Sequence, residues 1–378
     1  MMKILIAALL MVFAGGCTHG ETYSASHRYH AASASSVGLL YVDHIDRILL
    51  ASVGNRFQST SIQRIASDGS VDWAYVPQGD EPAETANIHV ASLFQNAKKN
   101  YVACTNRYPS DRTKLSSAMH ILSEKGALVS RSEIAPPANE YKGNVLVEKC
   151  WEDEGHTFIL GTIYGGANFD LVRYPNTIYW LRTIDKLHNT SKDILFSSNM
   201  HARAKLTDAV TFEGKLFFTA ENGVFGELVS VDPISGDIIQ RRTDGEARLV
   251  LGSERISTVS LRNGRIGVNG FDRALKPVAM ASMNIDRDSY FIGAYAPNPD
   301  RIAIVVTSLG VGTSTLRVIE AGNGQPTFNK VFSQRLAPPA VLSTTYAKDS
   351  KGRGLFHFVQ FHEHERQTDN ALLTLEKR

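Results

Sequence analysis

The stretch IQRIASDGSVDWAYV, residues 62–76, holds two short runs of β-forming residues joined by a polar turn. The second run, residues 71–75, alternates bulky apolar residues with smaller or polar ones, which is typical of a strand that buries one face. The turn contains Asp68 and Gly69, residue types that favour a tight reversal of the chain. The stretch therefore predicts a β-hairpin.

This hairpin pattern recurs along the chain. Clear copies are MHILSEKGALVSRSEI (residues 119–134) and LVSVDPISGDIIQRR (residues 228–242). Weaker copies occupy residues 178–196, 279–293 and 316–332, and the final ALLTLEKR (residues 371–378) matches the first half of a seventh copy. The copies begin about 37 to 60 residues apart, a period typical of propeller blades rather than of solenoids.

The repeats predict an all-β fold, a single β-propeller over residues 37–378. Seven blades are expected, with six or eight as alternatives. In each blade the hairpin supplies the two outer strands, and the strands before it face the axis. The seventh copy lacks its second strand, so residues 21–32 are expected to complete the last blade and to leave no open edge.

Two of the hairpins resemble the repeats of a known class of propellers. LVSVDPISGDIIQRR and IASDGSVDWAYV are similar to the pyrroloquinoline-quinone-type and YVTN-type repeats, in which an Asp and a turn Gly precede a short outer strand. The resemblance implies the propeller fold. It does not extend to the regular tryptophan of quinoprotein repeats, and no cofactor is predicted.

The start of the chain is predicted to be a signal peptide, residues 1–16. Lys3 precedes ten apolar residues (4–13) and three small ones (14–16), the order found in secretory signals. As a helix the apolar run would rise only about 15 Å, about half of the hydrocarbon core of a bilayer. The segment is therefore too short for a permanent membrane span.

The small residues before Cys17 resemble the lipobox of bacterial lipoproteins. That resemblance implies acylation of Cys17, and Thr18 in the next position implies sorting to the outer membrane, facing the periplasm. Residues 17–36 would then be a lipidated N-terminus and tether, in which two acyl chains give a stable anchor. The alternative is ordinary signal cleavage, because Ala14 and Gly16 also satisfy the small-x-small rule.

Net charge gives little support for a polyanionic partner. The chain carries 40 Lys and Arg against 38 Asp and Glu, a formal net charge of +2. Near-neutral proteins lack the field that draws nucleic acid or anionic lipid to a surface. No nucleic-acid partner is predicted, and membrane contact is expected only through the anchor.

Cys104 and Cys150 are predicted to form a disulfide. Both lie in strand-like segments, and the periplasm is oxidising. The bond would close a loop of 46 residues, worth roughly 4 kcal/mol in the chain-entropy account. Two separate buried thiols are the alternative.

The sequence contains few motifs that would bind a metal ion, bind a phosphate group or catalyse a reaction. His362 and His364 lie two residues apart, so on a strand they would share a face and could reach one metal ion. A polar strand end that runs into the following loop is the favoured interpretation, and no metal site is predicted. The glycine-rich stretches at residues 164–170 and 309–315 carry no phosphate-loop lysine and are expected to be turns. Nucleophile-elbow and zinc-protease motifs do not occur, so no catalytic residue is assigned.

Two functions remain open. The favoured one is a lipid-anchored protein-binding module that uses exposed loops such as those near residues 77–85 and 136–142. Its partner would be a periplasmic or envelope protein, either assembly machinery, as for the barrel-assembly lipoprotein propeller, or an incoming toxin that this chain neutralises. The alternative is an enzyme or small-ligand binder, related to glycans or quinones, with its site at the channel mouth.

Overall fold

A computed structural model describes residues 23–377, except for residues 31–36, 53–59, 67, 78–85, 110–114, 138–142, 154, 166–169, 171, 174, 188–189, 244, 246, 253–254, 299–300, 311–312, 323–327, 337–339, 349–352 and 363–366. The described residues form strands and turns and contain no helix. Accordingly, no helix among them is long and apolar enough to cross a membrane.

The strands in the first half of the chain are β1 (Tyr23–His30), β2 (Val37–Val42), β3 (Ile48–Ser52), β4 (Ile62–Ile65), β5 (Val71–Tyr75), β6 (Ala86–Gln95), β7 (Tyr101–Pro109), β8 (Ser116–Leu122), β9 (Leu128–Glu133), β10 (Val145–Asp153), β11 (His156–Ile163), β12 (Asn176–Asp185) and β13 (Thr190–His201). Those in the second half are β14 (Lys205–Phe212), β15 (Lys215–Glu221), β16 (Gly226–Val231), β17 (Ile238–Thr243), β18 (Ala247–Leu251), β19 (Ile256–Arg262), β20 (Arg265–Phe271), β21 (Pro277–Asn284), β22 (Ser289–Asn298), β23 (Arg301–Gly310), β24 (Thr313–Gly322), β25 (Phe328–Leu336), β26 (Ala340–Lys348), β27 (Gly354–His362) and β28 (Gln367–Lys377).

These strands pair into seven four-stranded antiparallel sheets, each of which is one blade. Blade 1 is β2–β5, blade 2 is β6–β9, blade 3 is β10–β13, blade 4 is β14–β17, blade 5 is β18–β21, blade 6 is β22–β25, and blade 7 is β26, β27, β28 and β1. Within a blade we letter the strands a to d from the axis outward. The prediction of an all-β propeller is confirmed.

The blades form a closed ring. Each inner strand contacts the inner strands of both neighbouring blades, in the circular order β2, β6, β10, β14, β18, β22, β26 and back to β2. Because every blade is an up-and-down meander, all a–b and c–d turns lie on one face of the ring, which we call the AB face. The b–c turns and the connections between blades lie on the other, the BC face.

The N-terminal strand completes the last sheet. β1 pairs antiparallel with β28, from Tyr23 opposite Lys377 to His30 opposite Asn370. This strand lies within residues 21–32, the segment expected to supply the missing strand. The ring is thus held shut by pairing between the two ends of the chain.

One predicted hairpin is wrong. Residues 279–293 do not form the outer pair of a blade, because β21 pairs with β20 and β22 pairs with β23. The turn between β21 and β22, in which the amide of Ser289 donates to the carbonyl of Asp286 at 3.0 Å, connects two blades. A short connection between blades has the same local composition as a hairpin turn, so the sequence pattern could not separate them.

Apolar side chains fill the seams between blades. In β16 every residue is buried, since the strand is covered on both faces. Val229 and Val231 pack toward Phe158 and Leu160 of blade 3, whereas Leu228 packs toward blade 5. A strand that is covered on both faces encloses its polar residues as well, so Glu227 and Ser230 of β16 are buried together with its apolar side chains.

Polar side chains also join neighbouring blades. The buried carboxylate of Glu227 in blade 4 accepts hydrogen bonds from two hydroxyls of blade 3, those of Tyr179 and Ser198, and from the amide of Asn199. Asn106 in blade 2 bonds both the carbonyl and the amide of Val147 in blade 3, at 2.6 and 3.0 Å. Buried polar groups need such partners, so these contacts fix the register of one blade against the next.

The disulfide between Cys104 and Cys150 is present. It joins β7 of blade 2 to β10 of blade 3, with 6.4 Å between the two Cα atoms. Both side chains are buried. The bond therefore crosses a seam between blades, close to the ring axis.

Candidate functional site

The first candidate surface is the b–c turn of blade 4 on the BC face. Val224 and Phe225 are 52% and 42% exposed there. The guanidinium of Arg242 lies 3.7 Å from the centroid of the Phe225 ring, a distance at which cation and ring attract each other. Exposed aromatic and arginine side chains are the types that dominate binding energy at protein interfaces.

This turn is held in a defined shape. The side-chain oxygen of Asn222 accepts hydrogen bonds from the amides of Val224 and Phe225, at 3.1 and 2.8 Å. Its side-chain amide donates to the carbonyl of His201 at 2.9 Å. Gly223 adopts a φ of 84°, in the region that glycine populates readily. The two apolar side chains are thus presented on a fixed backbone, which lowers the entropic cost of binding.

A groove adjoins this turn on the outer half of blade 5. Its volume is about 630 Å³, and its lining residues are Ser260, Arg262, Asn263, Arg265, Gly267, Asn269, Met280, Ala281, Ser282 and Asn284. Arg262 donates to the carbonyl of Val224 at 3.3 Å, so groove and turn form one continuous surface. Arg265 donates to the hydroxyl of Ser282 at 2.7 Å.

A second candidate lies at the BC-face ends of the inner strands. Glu148 of β10 accepts a hydrogen bond from the hydroxyl of Thr162 at 2.9 Å. Burial raises the pKa of Glu148, although this hydrogen bond and the charges of Arg203 and Lys205 act to lower it. Glu148 is also the extra residue of a bulge between Val147 and Lys149, a distortion that re-aims a side chain.

Two more titratable groups from blade 2 complete this inner cluster. Burial, helped by the charge of Lys205, lowers the pKa of His89. Burial and the charge of Glu148 raise the pKa of Tyr108 against the opposing charge of Arg203. The cluster brings a carboxyl group, an imidazole and two cations together from three successive blades, which suits the binding of a polar ligand.

A third hollow, of about 420 Å³, lies on the AB face among the a–b turns of blades 1, 2 and 3. Its lining includes His44, Lys99, Glu152 and Asp153. His44 and the side chain of Gln95 lie 2.6 Å apart, and Glu152 is paired with Lys186. His44 thus joins blade 1 to blade 2, and Glu152 also accepts a hydrogen bond from the amide of Ala97 in blade 2 at 3.3 Å, so two of these side chains serve contacts between blades.

The structure tests only some of the site residues named from the sequence. Cys17 and His364 lie outside the described residues, as do most of the loop residues near 77–85 and 136–142. His362 ends β27, where it pairs with Gln367. Within the described ranges, no group of three or more His, Cys, Asp and Glu residues is arranged to hold a metal ion.

The blade 5 groove was not predicted from the sequence, although one local signal points to two of its strands. Asn263 and Gly264 take φ values of 51° and 72° in the turn that joins β19 to β20. An Asn-Gly pair between alternating apolar residues is a strong hairpin signal. It would have placed β19 and β20, which supply five of the ten residues that line the groove, in one sheet.

Comparison with known proteins shows the fold class alone. The WD40 domain of Toxoplasma gondii coronin matches with a TM-score of 0.57 at 11% identity, over 95% of this chain and 87% of that one. The Dos1 propeller matches with a TM-score of 0.52 at 8% identity, over 90% and 78%. The WD40 domain of fission-yeast SCAP gives 0.50 at 8% identity, over 90% and 84%. No protein-family model and no curated protein matches the chain. The chain is a β-propeller.

Proposed function

We propose that this protein is a lipid-anchored propeller that binds another protein in the periplasm. The observation that carries the proposal is the rigid, exposed pair Val224 and Phe225, with Arg242 stacked on the phenyl ring. Its position on a b–c turn leaves it free of the packing that holds the ring together. A propeller suits this role because its turns vary while its strands stay fixed.

The proposed anchor is compatible with this use of the BC face. Tyr23 lies at the AB-face end of blade 7, since it pairs with Lys377 where β28 ends. Six residue steps separate Tyr23 from Cys17, a reach of about 20 Å at most. A lipid on Cys17 would hold the AB face toward the outer membrane and leave Val224 and Phe225 directed away from it.

The partner belongs to one of two classes. An envelope-assembly protein would meet the anchored propeller at the membrane surface, where anchoring raises the effective concentration of each for the other. An incoming toxin would be captured there and neutralised. Both need a BC face that points into the periplasm, so the same experiment serves both.

The test is site-specific photocrosslinking in cells that export the full chain. A photoreactive residue at position 225 should trap one defined protein, whereas the same residue at position 129, on the outer strand of blade 2, should not. Arg242→Ala should weaken the crosslink at 225 without changing folding. Equal labelling from both positions would contradict the proposed surface.

The anchor has its own test. Cys17→Ser should leave an unprocessed or soluble protein, and intact-mass analysis should find acyl chains only on the wild type. An unmodified mature chain in the soluble fraction of wild-type cells would exclude lipidation.

A second candidate function rests on the inner cluster. Burial disfavours the charged form of both groups, since it raises the pKa of Glu148 and lowers the pKa of His89, and titratable groups perturbed in this way are frequent in ligand-binding and active sites. Such a site would bind or convert a small polar ligand, such as a glycan, at the channel mouth. Turnover that is lost in Glu148→Gln but retained in Phe225→Ala would favour this function over protein binding.

A further inference from the structure

The outermost strand of blade 5 differs in composition from the other outer strands of the ring. The seven outer strands are β1, β5, β9, β13, β17, β21 and β25. All of them lie in the described part of the chain, and each except β21 carries at least one Asp, Glu, Lys or Arg. Charges on an edge strand discourage another strand from pairing with it. The sequence of β21, PVAMASMN, lacks that protection.

The edge strand also borders open space. Ser260, Gly267 and Ser282 lie side by side in register across β19, β20 and β21. The opposite face of these strands, with Val259 and Ile266, packs in the apolar cluster shared with blade 6. Because these three side chains are small, the face of the sheet that carries them leaves open space above it. The row forms part of the floor of the groove.

The groove carries charge of one sign. Arg262 and Arg265 face each other across the b–c turn, and none of the described residues that line the groove bears a carboxylate. Met280 on β21 is 73% exposed. The acidic side chains of a bound segment could pair with the two arginines. An apolar side chain of the same segment could pack against Met280.

We propose that β21 is a docking edge for an extended segment of a partner protein, which adds to blade 5 as a fifth strand and places acidic side chains against Arg262 and Arg265. This mode supplies affinity through main-chain hydrogen bonds and specificity through side-chain contacts. The proposal rests on the proposed protein-binding function. A second copy of this chain is a poor occupant, because edge-to-edge pairing would bring together two sets of the same arginines.

The experiment selects a phage-displayed library of random twelve-residue peptides on the purified mature protein. The recovered peptides should be rich in Asp and Glu and should alternate polar with apolar residues. Their binding, measured by fluorescence anisotropy at low salt, should fall at least tenfold in Arg265→Glu and stay within threefold in Arg265→Lys. Val129→Glu, on the outer strand of blade 2, is the matched control and should bind like the wild type.

Hydrogen exchange supplies a readout of strand addition itself. Bound peptide should slow exchange of the backbone amides in residues 278–284 and leave exchange in the outer strand of blade 2 unchanged. Peptides that bind equally to wild type and Arg265→Glu, or that protect another region, would overturn the inference. So would a peptide-free dimer that Met280→Lys dissociates, because β21 would then pair with itself.

The docking edge and the proposed protein-binding function can be tested separately. A crosslinked partner at position 225, with no acidic peptides selected on β21, would overturn this inference and leave protein binding intact. Acidic peptides that dock on β21, with no partner trapped in cells, would instead count against the proposed function.

Discussion

Tyr23 in the first strand lies opposite Lys377 in the last, so the two ends of the chain meet in one sheet. This pairing supplies the fourth strand of blade 7. It also makes the closure of the ring depend on the N-terminal strand β1. A propeller closed in this way opens only if β1 leaves β28.

Removing the closing strand should destabilise the whole ring. Replacing residues 23–30 with a Gly/Ser segment of equal length should lower the melting temperature by several degrees, because β28 would gain an unpaired edge. Replacing residues 31–36 in the same way is the control and should change little. An unaltered melting temperature in the first variant would show that closure does not need β1.

The disulfide should contribute measurably to stability. Wild-type protein refolded with reductant should be less stable to denaturant than oxidised protein, by about 4 kcal/mol for a 46-residue loop. In the double variant Cys104→Ala, Cys150→Ala, reductant should have no effect. Equal midpoints for oxidised and reduced wild type would contradict a stabilising bond.

Gly126 should tolerate substitution poorly. Its φ is 80°, and an added Cβ would lie 2.5 Å from the indole of Trp73 in blade 1. Gly126→Ala should therefore cost backbone strain of about 1 kcal/mol and an additional steric penalty. Gly236 has a φ of 86°, and a Cβ added there would meet nothing within 4 Å, so Gly236→Ala isolates the strain. Equal losses of unfolding free energy in the two variants would argue against the contact with Trp73.

His120 should stay neutral in the folded protein until the solution is strongly acidic. Its Nδ1 lies 2.9 Å from the hydroxyl of Tyr75, and its Nε2 lies 3.2 Å from that of Thr105. Burial, together with the positive charge of Arg131, lowers its pKa from 6.5 to about 4. Between these two values the unfolded chain binds the proton and the folded chain does not.

Neutral His120 thus contributes stability that is complete above about pH 6.5 and is lost as the pH falls toward 4. The loss should be on the order of 3 kcal/mol, and His120→Gln should show a shallower acid dependence. Imidazole NMR, with the resonance assigned by its absence from His120→Gln, measures the pKa directly. Titration of His120 near pH 6.5 would refute the expectation.

Local sequence patterns were sufficient to predict the repeated hairpins of the blades. Polar turns such as the one at Asp68 and Gly69, flanked by alternating β-forming residues, predicted the outer hairpins of blades 1, 2 and 4, which β4–β5, β8–β9 and β16–β17 form. These signals depend on neighbours in the chain, so they can be read from the sequence. The half-copy at residues 371–378 also indicated that the last blade needed a strand from elsewhere.

Contacts between distant residues decided the rest. The hairpin expected at residues 279–293 failed because strand pairing depends on which sheet each strand joins, and a turn between blades looks like a turn within one. The groove beside β21 exists because Ser260, Gly267 and Ser282 meet across three strands, and the inner cluster exists because Glu148, His89 and Lys205 come from three blades. Strands, turns and their repetition follow from residues that are neighbours in the chain, so the amino-acid order was enough to predict them. Which side chains share a surface depends instead on how the closed ring brings separate blades together, and only the folded arrangement could show it.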